Sequence, residues 1–180
     1  MRHGSKSAVW VSATLFLAAC GGKSPAGEPA APAAAVQQLV LARDPGEALG
    51  VLAAKATGGA EHAIVHGRIA HVVPGHAVFT LMDTGLAFCG EDNAEDDCAT
   101  PWDYCCESAE TRTANSLLVE VRDAQGQPIA TPALPGLRLL DTVKDAGKLG
   151  VDEHGYHVLV ATGLFRTDRP AVPDGVRWPR

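Results

Sequence analysis

Four cysteines fall within a short stretch of this chain: Cys89, Cys98, Cys105 and Cys106. Eight residues separate the first two, and six separate Cys98 from Cys105. Thiols this close in sequence offer three chemistries: oxidation to disulfides, binding of a soft metal ion, or exchange as a reactive pair. Around them stand Glu91, Asp92, Glu95, Asp96, Asp97, Asp103 and Glu107, with no Lys or Arg between Phe88 and Arg112. That negative charge pushes thiol pKa values upward, and no Cys-x-x-Cys is present, so a reactive pair is poorly served. The two-residue gap of common zinc knuckles is also missing. An even number of cysteines in an exported domain points to two disulfides. A vicinal Cys105–Cys106 bridge would strain the peptide between them, which leaves Cys105 and Cys106 to pair separately with Cys89 and Cys98. Each bridge would contribute roughly 2–4 kcal/mol. A Cu or Zn site on Cys89, Cys98, Cys105 and Cys106, with histidines able to join, is the alternative.

The fifth cysteine explains why export is expected. Leu17-Ala18-Ala19-Cys20 closes an apolar run from Ala8 to Ala19, which follows Arg2 and Lys6. A basic start, a short apolar run and small residues at the cut form a secretion signal. The run is shorter than the ~20 residues that span a bilayer. The string resembles the lipobox of bacterial lipoproteins. That resemblance implies that residues 1–19 are a signal peptide, that Cys20 becomes the first mature residue, and that its sulfur carries palmitate or a similar acyl chain. The lipid bilayer is then a partner, reached through Cys20, and the compartment is the oxidising cell envelope. Gly21 follows the cysteine where Asp would retain the protein at the inner membrane. By the sorting rule of enteric bacteria this implies the outer membrane, facing the periplasm or the cell surface.

Other chemistry is thinly provided. There is no Gly-x-Ser-x-Gly, His-Glu-x-x-His, P-loop or Gly-x-Gly-x-x-Gly. Beyond the tether only Ser108 and Ser116 offer serine hydroxyls. No enzyme and no cofactor is expected on these grounds. His66 and His71 stand five apart on one predicted strand and face opposite ways unless a bulge at Gly67 changes the parity. His154 and His157 flank a turn. The acidic run from Glu91 to Asp97 lacks the spacing of a calcium loop. Net charge is −6, and because the leader carries two of the bases and no acid, the remainder stands at −8. Such a chain repels phosphate backbones, so nucleic acid is not an expected partner. An envelope protein or a small ligand is.

The elements that must position the thiols are strands. Gly21 to Ala35 is rich in Gly, Ala and Pro, and residues 20–58 read as a tether. Within it Pro45–Ala56 suggests a short helix, with Leu49, Leu52 and Ala53 on one face and Gly58-Gly59 at its end. Two-residue alternation then predicts strands at 63–73, 76–83, 116–123, 142–151 and 156–166, giving one domain over 59–168 and a Pro-rich tail over 169–180. A glycine inside the long first strand, Gly67, marks a bulge or bend that lets one strand serve both halves of a barrel. Val65-His66-Gly67-Arg68-Ile69 followed by Ala77 to Asp83 is similar to the first hairpin of OB-fold domains. The expected fold is mainly β: a small five-stranded OB-like barrel with an irregular or partly helical cysteine-containing insertion. Pro101-Trp102-Asp103-Tyr104-Cys105-Cys106 resembles a Pro-Trp-Asp-x-Cys-Cys element of small uncharacterised bacterial lipoproteins with an OB-like domain. It implies fold and location, and that Trp102 and the four cysteines form one unit. Trp102 and Tyr104 themselves read as a satellite core beneath a long loop. The expected function is a lipid-anchored binding or accessory module of the envelope, with a metal-handling lipoprotein as the alternative.

Overall fold

A computed structural model describes residues 31–93, 95–96, 98–131, 134–171 and 176. Cys20, the lipobox and most of the Pro-rich tail lie outside the described residues. Alternating apolar side chains build six strands: β1 (Leu49–Gly50), β2 (Ala60–Val72), β3 (Val78–Met82), β4 (Ser116–Glu120), β5 (Thr142–Val151) and β6 (His157–Asp168). Strands β2 to β6 close on themselves in the order β2-β3-β4-β6-β5, with β5 returning to β2. The β4–β6 pair is parallel and the other four barrel pairings are antiparallel. The expected OB-like barrel is therefore present, and β1 adds a short sixth strand parallel to β2. Closure leaves no open edge inside the barrel itself.

The interior is filled by Val65, Ile69, Phe79, Leu81, Val119, Val143, Leu159 and Leu164, all at most barely exposed. Residue Asp145 sits among them. Its carboxylate is buried and neither oxygen has a hydrogen-bond partner among the described residues. Burial alone pushes this carboxyl well above the usual carboxylate range.

Two expected boundaries shift. Helix α1 (Ala31–Gln38) falls in the segment expected as tether, and Val36 is fully buried in the core. Val40 bridges Leu164 of β6, so the chain joins the barrel before residue 59. The short helix is α2 (Val51–Ala56), later than expected because Leu49 and Gly50 pair with Val65 and His66.

Neither register shift in β2 is at Gly67; one, against β5, falls between Ala60 and Ala63. The other falls between Ile69 and His71, where β2 pairs with β3. Along 60–68 the same strand pairs with β5, so one strand does serve both sides. Gly67 answers a different constraint. A Cβ there would meet Leu81 Cγ at 2.5 Å and the Met82 carbonyl oxygen at 2.8 Å. The strands approach too closely for any side chain, and positive φ plays no part.

Gly67→Val is expected to lower the unfolding free energy by roughly 1–3 kcal/mol through overpacking, measured by denaturant titration; an unchanged midpoint would contradict the close approach. The buried carboxyl has a pH signature. The unfolded chain ionises Asp145 near pH ~3.9 while the folded barrel holds the proton to higher pH. Stability from this group is therefore full below that value and is lost as pH rises toward the native pKa. Asp145→Asn should flatten that decline, and an equal slope in both proteins would contradict the burial.

Candidate functional site: a thiol cluster pinned to the barrel

The segment between β3 and β4 carries the four cysteines, and one barrel residue holds it down. Arg68 points outward from β2 yet is only 6 % exposed, because this segment lies over it. Its guanidinium grips Glu91 with both ends: Nη2 donates to Oε1 at 2.7 Å and Nη1 to Oε2 at 3.0 Å. Nη1 also donates to the Leu86 carbonyl at 3.2 Å. The Phe88 ring lies 4.9 Å from the guanidinium carbon. Bidentate geometry fixes direction as well as distance, so the pair sets how the segment leaves the barrel. The Phe88 amide donates to Glu91 Oε2 at 3.1 Å, which keeps the turn next to Cys89 in place.

Farther along, a 3-10 turn at Pro101–Asp103 ends at Tyr104, whose φ of 48° is left-handed. That turn drives Trp102 and Tyr104 inward, at 6 % and 1 % exposure. Both belong to the main core rather than to a satellite beneath the loop. The Cys89 amide donates to the Pro101 carbonyl at 3.3 Å and so ties the two halves of the insertion together. Arg112 of helix α3 (Ala109–Ala114) donates to the carbonyls of Tyr104 and Glu107 at 3.2 and 3.0 Å, bracketing Cys105 and Cys106. Ser108 caps α3 by accepting the Thr111 amide at 3.0 Å.

These anchors gather the thiols. Cys89 Sγ lies 3.5 Å from Cys105 Sγ and 3.8 Å from Cys106 Sγ, and Cys98 Sγ lies 3.5 Å from Cys105 Sγ. The expected disulfides are not formed: all four are free cysteines, and a disulfide needs about 2.05 Å between sulfurs. The reason is geometric. Cys105 stands equally close to Cys89 and Cys98, so the sulfurs form a shared cluster instead of two separate pairs. Cys89 is buried, while Cys105 and Cys106 are exposed.

Ionisation is divided unevenly within the cluster. Burial opposes the Cys89 thiolate, but the backbone amides of Cys106 and Cys105, together with both neighbouring thiols, hold its pKa below the ordinary thiol value. Its hydrogen bonds with Cys98 and Cys89 push Cys105 up to about 12. Cys106 is raised first by its bond to Cys89 and then by the electrostatic influence of Cys89.

The histidines stay apart from this cluster. His71 joins Met82, Trp102, Cys105 and Arg112 around an open cleft of about 520 Å³ beside the thiols, but the ligand atoms that meet within 4.8 Å of one another come from Cys89, Cys105 and Cys106. His66 faces Lys144, Asp83 and Asp44 instead, and burial followed by the charge of Lys144 lowers its pKa. Both residues of the Arg68–Glu91 pair are visible in the sequence, but nothing in its periodicity joins them. A signal existed: the insertion has no Lys or Arg between Phe88 and Arg112, and Arg68 is the one Lys or Arg in β2.

No protein-family model and no curated protein sequence matches this chain. The site must therefore be read from its own geometry. No helix among the described residues is long and apolar enough to cross a membrane.

Glu91→Ala leaves the Arg68 guanidinium covered and unpaired. The expected loss is on the order of 2 kcal/mol, less than the 3–5 of a fully buried pair because Glu91 is a third exposed. Limited proteolysis should show faster cutting within the insertion while the barrel persists. Cutting rates equal to those of the native chain would contradict the pin.

Proposed function

We propose that this protein is a lipid-anchored cell-envelope binding module whose OB-like barrel carries a thiolate site for a soft metal ion. One observation carries the reading. An ion bound by sulfur at about 2.3 Å in tetrahedral array sets its sulfurs about 3.8 Å apart. The separations Cys89–Cys105, Cys98–Cys105 and Cys89–Cys106 are 3.5, 3.5 and 3.8 Å, and Cys89, Cys105 and Cys106 all lie within 4.8 Å of one another. Side chains from both ends of the insertion converge there, so little reorganisation is needed to bind an ion. Thiolates select Cu(I) or Zn(II) over hard cations.

The remaining features support a holder rather than a catalyst. Among the described residues the cysteine side chains bond to one another and to the Thr100 hydroxyl rather than to a histidine or carboxylate that could act as a general base. The acidic balance of the chain disfavours nucleic acid. The lipobox supports attachment through Cys20, with the segment after it holding the site near the membrane surface. A second acyl chain is needed for stable attachment, since one alone holds marginally.

The test uses protein purified anaerobically from envelope membranes of cells fed labelled fatty acid. One equivalent of Zn or Cu per chain, protection of Cys89, Cys105 and Cys106 from alkylation, and label lost in Cys20→Ala are the expected results. A chain lighter by ~4 Da than its reduced form, from two disulfides, that takes up no metal after reduction would overturn the metal reading. Unlabelled native protein would overturn the anchor.

A further inference from the structure

Reading the cluster as a metal site leaves open which ion it takes and what Cys98 is for. The four sulfurs are not equivalent. Those of Cys89, Cys105 and Cys106 all lie within 4.8 Å of one another. Cys98 stands outside that triangle. Its sulfur reaches Cys105 at 3.5 Å and the Thr100 hydroxyl at 3.9 Å. Among the described residues the triangle includes no histidine and no carboxylate, so the ready ligand set is three sulfurs. A structural Zn(II) site is closed by four ligands. A soft monovalent ion is satisfied by three thiolates, and softness is what sulfur donors select for. Access also differs across the set. Cys89 is buried, whereas Cys105 and Cys106 are open to solvent and Cys98 is partly so.

We propose that Cys89, Cys105 and Cys106 bind Cu(I) as a three-thiolate site, and that Cys98 is the incoming thiol through which the ion is passed on. Cys98 is as close to Cys105 as Cys89 is, so an ion held by Cys105 has a fourth sulfur beside it. In the exchange step a bond forms between the Cys98 sulfur and the ion while the bond to Cys106 breaks. The Cys98 proton moves to the Cys106 sulfur. Copper stays Cu(I) and no electron is transferred, so neither oxidant nor reductant is consumed. Cys89 remains as the buried tether and Cys105 as the hinge between the two arrangements. The acceptor is a second Cu(I) ligand of comparable softness, presented at the exposed side.

The test loads the full-length reduced chain anaerobically with one equivalent of Cu(I), or of Zn(II), and follows transfer to a bicinchoninate competitor. Cys98→Ser should leave Cu(I) affinity within about threefold of native but slow release tenfold or more, because the incoming ligand is gone while the resting set is intact. Cys89→Ser and Cys106→Ser should each weaken Cu(I) binding about a hundredfold or more. Far-UV circular dichroism of every variant reports whether the barrel remains folded, and Cys98→Ala provides a second replacement if the serine variant is unstable. Release from Cys98→Ser at the native rate would overturn the role of Cys98. Preferential, tight binding of Zn(II) that Cys98→Ser weakens more than tenfold would replace the three-thiolate copper site with a four-thiolate zinc site, and the metal reading itself would stand. Binding of neither ion to the folded, reduced chain would remove that reading as well.

Discussion

The grip of Arg68 on Glu91 is the constraint on which the thiol cluster depends. The Arg68 side chain is 8 % exposed and that of Glu91 34 %, with 2.7 Å between the bonded atoms. A charge this covered is costly unless paired, so the segment bearing Glu91 cannot leave without exposing or orphaning the guanidinium. Phe88 against the cation and the Leu86 carbonyl on Nη1 add to the same hold. The result is that Cys89 emerges from the barrel wall at a fixed place. The Tyr104 hydroxyl lies 3.5 Å from the same Nη1, so the segment carrying Cys105 and Cys106 is referred to the same residue.

The barrel gives this arrangement its rigidity. Strand β2 belongs to both halves of the sheet, and Gly67 lets β3 pack closely beside it. Gly147 plays the same part between β5 and β6, where a Cβ would strike the Val160 carbonyl. With the strands drawn this tightly, Arg68 has no freedom to follow the insertion; the insertion follows Arg68. Trp102 and Tyr104 then extend the core outward beneath the cysteines, so the same packing that closes the barrel also supports the site. A loop bearing four thiols becomes an ordered ligand set by borrowing the stiffness of a closed sheet.

Much of the fold was legible because it rests on local alternation. The strands expected at 142–151 and 116–123 appear at Thr142–Val151 and Ser116–Glu120, since inward and outward residues alternate there without interruption. Gly67 was legible as special but not for the right reason. A glycine needed for close approach and one needed for a bulge look identical in sequence, and the slips in register lie to either side, between Ala60 and Ala63 and between Ile69 and His71. Val36 was lost to the tether because its neighbours are small and Pro-rich, although the barrel buries it completely. At the site, the four cysteines were visible and their mutual distances were not. Pairing by counting led to two bridges, whereas the fold places Cys105 between Cys89 and Cys98. The Arg68–Glu91 pair spans 23 residues and two different elements, which periodicity does not reach.

X-ray absorption at the metal edge of the full-length chain, reduced and loaded anaerobically with one equivalent of metal, tests the central claim most directly. The account predicts an inner shell of sulfur alone at about 2.3 Å. A shell of nitrogen or oxygen donors, with sulfur absent, would contradict it.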